Sequence, residues 1–173
     1  MQVLKSSLHV NWKPLSGGKH VGNTLPQVLL QDPNYFFCYY EPGGDFFGLA
    51  HQAEIIATRA KNMLIPSCAS GEQIVIYSVS AYDPKKFGGV TLVSKAVLVR
   101  NNGNLGRNVK ERGDVIDLST AYRIAPHDKR GGQTLIDCLK KFGLQGLYGR
   151  MTKAKCESFF NNTRNFAKLG PAP

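Results

Sequence analysis

The chain of 173 residues has no apolar run approaching the ~18 residues that a membrane-spanning helix needs, and its N-terminus lacks the long apolar stretch of a secretory signal. We therefore expect a cytoplasmic protein without membrane contact. Paired metal ligands are also missing. The four cysteines, Cys38, Cys68, Cys138 and Cys156, form no CxxC pair, and His9, His20, His51 and His127 are isolated. Structural zinc needs four close ligands, so neither a metal nor a cofactor is expected. Widely spaced thiols outside a secreted chain are most simply reduced and buried. No repeat of 20 to 50 residues is present, which excludes a solenoid.

Acidic side chains are scarce. Lys and Arg total 22, Asp and Glu total 12, and the net charge is +10. Residues 1–60 carry four basic and four acidic side chains, whereas residues 61–173 carry 18 basic and eight acidic ones, so the whole excess lies in the second part. Such asymmetry points to a polyanion facing one half of the molecule, nucleic acid being the usual one. An acidic or nucleic-acid-binding groove on another protein is the second kind of partner that a basic surface fits.

With 42% apolar and 20% charged residues the chain reads as globular. Leu8 to Trp12 has the composition of a short strand, and Ser16 to Asn23 that of a glycine-rich loop. Thr24 caps a helix through Gln31 that tolerates Pro26 in its first turn, and Asp32-Pro33 starts a second helix to Glu41. That helix carries Tyr35, Phe36, Phe37, Tyr39 and Tyr40, dense enough to be a wedge of core. Asp45 is the expected cap of a third helix from Phe46 to Met63, whose apolar residues recur at helical spacing. After Pro66 the pattern changes. Gln73 to Tyr82 and Val90 to Arg100 are rich in β-branched residues and flank a turn at Asp83-Pro84, which predicts a hairpin. Asn101 to Gly113 reads as a polar loop and Asp114 to Ser119 as a third strand. Helices over Gln133–Phe142 and Thr152–Ala167 follow. Short N-terminal helices, a small antiparallel sheet and two C-terminal helices make an α+β fold. We expect one domain over residues 1–169, with a possible subdomain boundary near 66–71 and a disordered tail at 170–173.

Candidate chemistry is thin. Gly17 to Thr24 approaches a phosphate-binding loop, but Asn23 stands where the lysine that reaches the phosphates is required. Ser67-Cys68 has no histidine placed beside it for nucleophilic catalysis. Glu111, Asp114 and Asp117, near Lys110, are the nearest approach to a metal-dependent nuclease. Positions three apart on a strand face opposite sides, however, so Asp114 and Asp117 do not share a metal, and Asp117 is expected to bond nearby backbone instead. The reading leans against an enzyme.

Basic residues cluster at Lys85-Lys86, Arg107-Lys110-Arg112, Lys129-Arg130, Lys140-Lys141 and Arg150-Lys153-Lys155. The binding residues we select are Arg107, Lys110 and Arg112 in the polar loop, Lys129 and Arg130, and Arg150, Lys153 and Lys155 at a helix start, where cations oppose the helix dipole unless an anion sits there. Lys85-Lys86 lies in a tight turn and serves as the comparison. Tyr122, Phe142 and Tyr148 are candidates for base stacking.

Gly18-Lys19-His20-Val21-Gly22-Asn23-Thr24-Leu25-Pro26-Gln27-Val28, followed by Asp32-Pro33-Asn34-Tyr35-Phe36-Phe37, resembles a small bacterial and phage module found alone or beside exonuclease domains. His20 and Asn23 replace the module's usual Tyr and Lys, and the match covers residues 17–41. Asp114 to Ser119, Ile124 to Lys129 and Met151 to Glu157 are similar to stretches in proteins of mobile elements. The resemblance implies a phage or integrated element as the setting. The resulting expectation is a non-enzymatic nucleic-acid-binding accessory protein. The alternatives are an inhibitor that binds a host defence protein, such as a CRISPR effector, through its basic surface, and a metal-dependent nuclease.

The cysteine and histidine spacings predict that the purified chain folds without zinc and without oxidation. A circular-dichroism melt with chelator and reductant present should match the melt without them, and unfolding on either addition would contradict this reading.

Overall fold

The computed structural model describes residues 9–65, 72–101, 108–142, 147 and 149–167. Among them are seven α-helices and five strands: α1 (Leu25–Gln31), α2 (Pro33–Tyr40), α3 (Ala50–Ala60), β1 (Met63–Leu64), β2 (Gln73–Val79), β3 (Phe87–Ser94), α4 (Lys95–Arg100), β4 (Val109–Gly113), β5 (Val115–Ile116), α5 (Thr120–Ile124), α6 (Gly131–Lys141) and α7 (Lys153–Asn161). The fold is α+β, as expected. The tail at 170–173 and the linker at 66–71 lie outside the described residues.

The main sheet is antiparallel in the order β3-β2-β4, with Ile76 opposite Thr91 on one side and Arg112 on the other. β1 and β5 form a separate pair, Met63 with Ile116 and Leu64 with Val115. Alternation along β2 sends Val75 and Tyr77 into the main core, where α6 packs on β3 and α5 on β2. One buried cluster joins Trp12 and Leu15, the apolar faces of α1 to α3, these strand residues, α6, and Phe159, Phe160 and Phe166 at the C-terminal end. The N-terminal segment is fastened to α7 by Asn161. Its Oδ1 accepts the Val10 N–H and the Trp12 indole N–H, both at 3.1 Å, and its Nδ2 donates to the Val10 carbonyl at 3.2 Å. His9 to Trp12 is therefore an irregular strap rather than the expected strand, and Leu8 lies outside the described residues.

α1 and α2 form where the sequence places them. The Gln27 side chain reaches back to accept the Thr24 N–H at 3.0 Å, and Asp32 Oδ1 accepts the Tyr35 N–H at 3.2 Å. Phe36 and Phe37 are fully buried, and Tyr35, Tyr39 and Tyr40 are half-buried against the core. Cys38, expected to be buried, is exposed on the opposite face of α2; Cys138 is half-buried and Cys156 buried, and Cys68 lies outside the described residues. Burial, with the neighbouring Glu157 charge, pushes the Cys156 thiol up to about 11, which keeps it protonated and inert.

The third helix begins at Ala50 and not at Phe46. Phe46 and Phe47 both sit in the left-handed region, at φ 49° and 59°, and Gly48 follows at φ 84°. Side chains there cost roughly 1–2 kcal/mol each. The return is burial of the whole Phe46 ring, stacked 5.0 Å from Phe36 and tilted against Tyr39 at 4.8 Å, and Asp45 caps this turn instead of a helix by accepting the Phe47 N–H at 2.9 Å.

The strands also shift. Ser94 ends β3 because its hydroxyl caps the Ala96 N–H at 3.2 Å, so the β-branched run through Val99 becomes α4, with Val97 and Val99 exposed. The segment read as a polar loop splits. Residues 102–107 lie outside the described residues, and Val109–Gly113 is the third strand of the sheet. Its sequence hides this because it is an edge strand with charge on both faces. Asp114 to Ser119 contributes only β5, and α5 was not expected at all. α6 buries Leu135, Ile136 and Leu139 as predicted, and α7 ends at Asn161, where Asn162 caps a single 3₁₀ turn.

The buried ring stack fixes one expectation. Phe36→Ala should cost ~3–5 kcal/mol in chemical denaturation. A variant as stable as the parent would place this ring outside the core.

Candidate functional site

The turn between α1 and α2 is a hub of side-chain hydrogen bonds, and the polar residues that end one helix and begin the next make it. Gln31 Nε2 donates to the Met151 carbonyl at 3.2 Å. Asp32 Oδ2 accepts from Lys19 Nζ at 2.5 Å and from His20 Nε2 at 3.0 Å, while its Oδ1 caps α2. Asn34 donates to the Asp128 carbonyl at 2.5 Å and accepts the Gly132 N–H at 2.7 Å. A Cβ on Gly132 would collide with the Asn34 side chain and the Pro33 ring, so the close approach of α6 to α2 requires glycine there.

Each of these bonds anchors a basic segment. Lys19 and His20 come from the glycine-rich loop, closed by Leu15 N–H to the Asn23 carbonyl and Gly22 N–H to the Leu15 carbonyl, with Gly18 and Gly22 at φ 78° and 83°. Lys19 is paired with Asp32. Lys129 and Arg130 lie in the turn that Asn34 grips. Asp128, nearly buried, organises this turn by accepting the Phe87 N–H at 2.9 Å and the Arg130 N–H at 3.0 Å. Lys86 Nζ lies 3.8 Å from Asp128, so the Lys85-Lys86 turn adjoins Lys129-Arg130 and is not a remote comparison for it. Arg150 and Lys153 flank the Met151 that Gln31 holds, and the Thr152 hydroxyl caps α7 at the Lys155 N–H, 3.4 Å away.

The structure thus brings two of the three predicted clusters to one junction. The third is elsewhere. Arg107 lies outside the described residues, and Lys110 and Arg112 project from the outer face of β4, with Arg112 edging a groove floored by Ile74 beside α4. Among the described residues no carboxylate is within ion-pair distance of Lys110, Arg112, Lys129, Arg130, Arg150 or Lys153. Lys140, by contrast, is paired with Asp137 at 3.5 Å. Of the stacking candidates, Tyr122 and Phe142 are half-buried against the core and Tyr148 lies outside the described residues.

The acidic residues are organised around Arg123, which no sequence motif marks. Arg123 makes a fork onto Glu111, at 3.3 and 3.0 Å, and also reaches Asp117 at 2.9 Å and the Thr120 hydroxyl at 3.0 Å. Asp117 Oδ1 accepts the Ser119 N–H at 2.8 Å, the backbone role expected for it. Asp114 is exposed and lies 3.5 Å from Lys95. The Tyr77 hydroxyl accepts the Asp117 N–H at 2.7 Å; burial, with the Asp117 and Glu111 charges, pushes that phenol up to about 12. Among the described residues no three His, Cys, Asp or Glu side chains are grouped to hold a metal ion. No periodic signal ties Glu111, Asp117 and Arg123 together, because a strand, a turn and a short helix each supply one.

The chain matches no family model, no curated protein and no solved structure. Among the described residues no helix is long and apolar enough to cross a membrane.

Asp32 gives the hub a pH signature. Burial raises its pKa, but the hydrogen bonds from Lys19, His20 and the Tyr35 N–H, with the Lys19 charge, outweigh it, and the net shift is below the ordinary 3.8. The unfolded chain then binds this proton more readily than the folded one. The stabilisation is complete above the unfolded pKa and is lost as pH falls through the folded one. Asp32→Asn keeps a capping side chain and removes the charge. It should cost about 1–2 kcal/mol at neutral pH, and the gap to the parent should close as pH falls below about 4. A gap that stays constant down to pH ~2 would show that the Asp32 charge contributes nothing.

Proposed function

We propose that this protein is a non-enzymatic, basic nucleic-acid-binding accessory protein, and that the ground around the α1–α2 junction is where it meets phosphates. The observation that carries the reading is the convergence of Lys129-Arg130 and Arg150-Lys153 on one polar hub, with no acidic partner for these four among the described residues. Cations gathered around one junction and not paired with a carboxylate raise a positive potential that attracts a polyanion. Backbone anchoring of both segments supports the reading further, since a charge on a fixed turn loses less freedom on binding than one on a mobile loop. A phage or integrated element as the setting agrees with such a role and is proposed with it. Lys110 and Arg112, on the far edge of the sheet, form a secondary patch.

Phosphate contacts release counterions, so affinity should fall steeply with salt and vary little with sequence. The triple variant Lys129→Ala, Arg130→Ala, Lys153→Ala should lower the slope of log affinity against log salt by about 0.9 for each phosphate that is no longer neutralised. These are exposed side chains, so the melting temperature should hardly move. The double variant Lys110→Ala, Arg112→Ala should change the slope less. Fluorescence anisotropy on several duplexes from low to physiological salt reads both. A flat salt response in the parent overturns the nucleic-acid reading, and equal losses in the two variants would show that charge count, not the junction, governs binding.

A further inference from the structure

On the side of the molecule built by α3, β1 and the C-terminal 3₁₀ turn, a cleft of about 650 Å³ opens between Arg59 and Arg164. Its size is in the range of small-molecule sites. The Arg59 guanidinium is half-buried and fixed. Nη1 donates to the Phe160 carbonyl, and the group lies 5.9 Å from the centre of the Phe166 ring. One of its five N–H donors is thereby used. Burial disfavours its charge and lowers its pKa from the ordinary guanidinium value. No carboxylate among the described residues is within ion-pair distance of either arginine, and none lines the cleft.

The other polar groups on the lining are largely unpaired. The Thr58 and Thr163 hydroxyls, also on the lining, make no hydrogen bond among the described residues, and neither does the Arg164 side chain. Asn62 spends its amide N–H on the Thr58 carbonyl at 2.9 Å. The rest of the wall is apolar: Phe166, Ala167 and Leu64, the last 37% exposed although it sits beside the buried Met63. The cleft therefore carries two guanidinium groups and no carboxylate among the described residues, and it is apolar along one side. A purely structural arginine staple would need Arg59, Phe160 and Phe166. It would not need a second arginine and two unspent hydroxyls facing the same space.

We propose that this cleft is a binding site for a small organic anion, a carboxylate or phosphate carried on an apolar body. The anionic head lies between Arg59 and Arg164 with the threonine hydroxyls as further donors, and the body lies on Phe166 and Leu64. Guanidinium groups suit such heads because their planar forks donate two parallel hydrogen bonds to one anion. The site stands apart from the α1–α2 junction and does not depend on the nucleic-acid reading.

Phenyl phosphate and phenylacetate are suitable probes, with inorganic phosphate lacking the apolar body and benzyl alcohol lacking the charge. Backbone NMR shifts of the full chain should move saturably at Thr58, Asn62 and Thr163 with at least one aryl anion, at a Kd below about 1 mM. Inorganic phosphate should bind more weakly and benzyl alcohol should not saturate. The tighter aryl anion identifies the head group. Arg164→Gln, an exposed position, should weaken binding at least about tenfold, the factor expected when a charge-assisted hydrogen bond is removed, with an unchanged melt. Leu64→Glu should repel the same anions. Absence of saturable shifts, shifts centred on Lys129 and Arg130 instead, or undiminished affinity in Arg164→Gln would each overturn the proposal.

Discussion

Three polar side chains at one helix–helix turn hold together segments that are otherwise far apart in the chain. Gln31, Asp32 and Asn34 reach respectively to the start of α7, the glycine-rich loop and the turn before α6. None of the three could be apolar without orphaning a partner, since the Gly132 N–H and the Met151 and Asp128 carbonyls are part of the backbone and demand a bond wherever water is excluded. Pro33 contributes by lacking an N–H at the one place where a helix start does not require it, and its ring packs where α6 passes. The junction is thus both a cap and a clamp. Because its bonds run to backbone atoms, it fixes the position of the neighbouring cations without restricting what those side chains touch.

The core beneath it is aromatic and strained in one place. Phe46 reaches its slot between Phe36 and Tyr39 only by taking the left-handed conformation with Phe47. Full burial of a phenylalanine yields roughly 1.5–3 kcal/mol, comparable to what the two left-handed residues cost. The turn therefore persists because the ring stack around Phe36 over-determines it, and Gly48 gives the chain a free conformation in which to leave it.

Sequence signals are legible where the chemistry that decides an element is local. Thr24 with Gln27, Asp32 before Pro33 and Thr152 before Lys153 each mark a helix start through a side chain within four residues, and the run of β-formers in Gln73 to Val79 marks the central strand. What escaped reading is what distant partners decide. Asp45 looks like a helix cap, but the demand of the core for Phe46 turns it into the cap of a tight turn. Val109 to Gly113 looks like a loop because its half-buried face carries Glu111, whose partner Arg123 is supplied by a helix not yet formed when only the strand is read. The cationic clusters could be found by counting charges, but their gathering at residues 31–34 depends on hydrogen bonds across separations of 94 to 120 residues. The Arg59–Arg164 cleft likewise has no sequence signature, since it exists only where the end of α3 meets the C-terminal turn.

Among the described residues β4 is bonded to β2 along one side only, so its other backbone edge is a template on which a further strand could add. Its residues answer that hazard. Lys110 and Arg112 on one face and Glu111 on the other place charge along the whole short edge, and a neighbouring chain that paired there would have to desolvate or repel them. These cations thus act as gatekeepers against self-association. Stripping them exposes a sheet edge, and any loss of binding in such a protein has to be separated from loss of solubility.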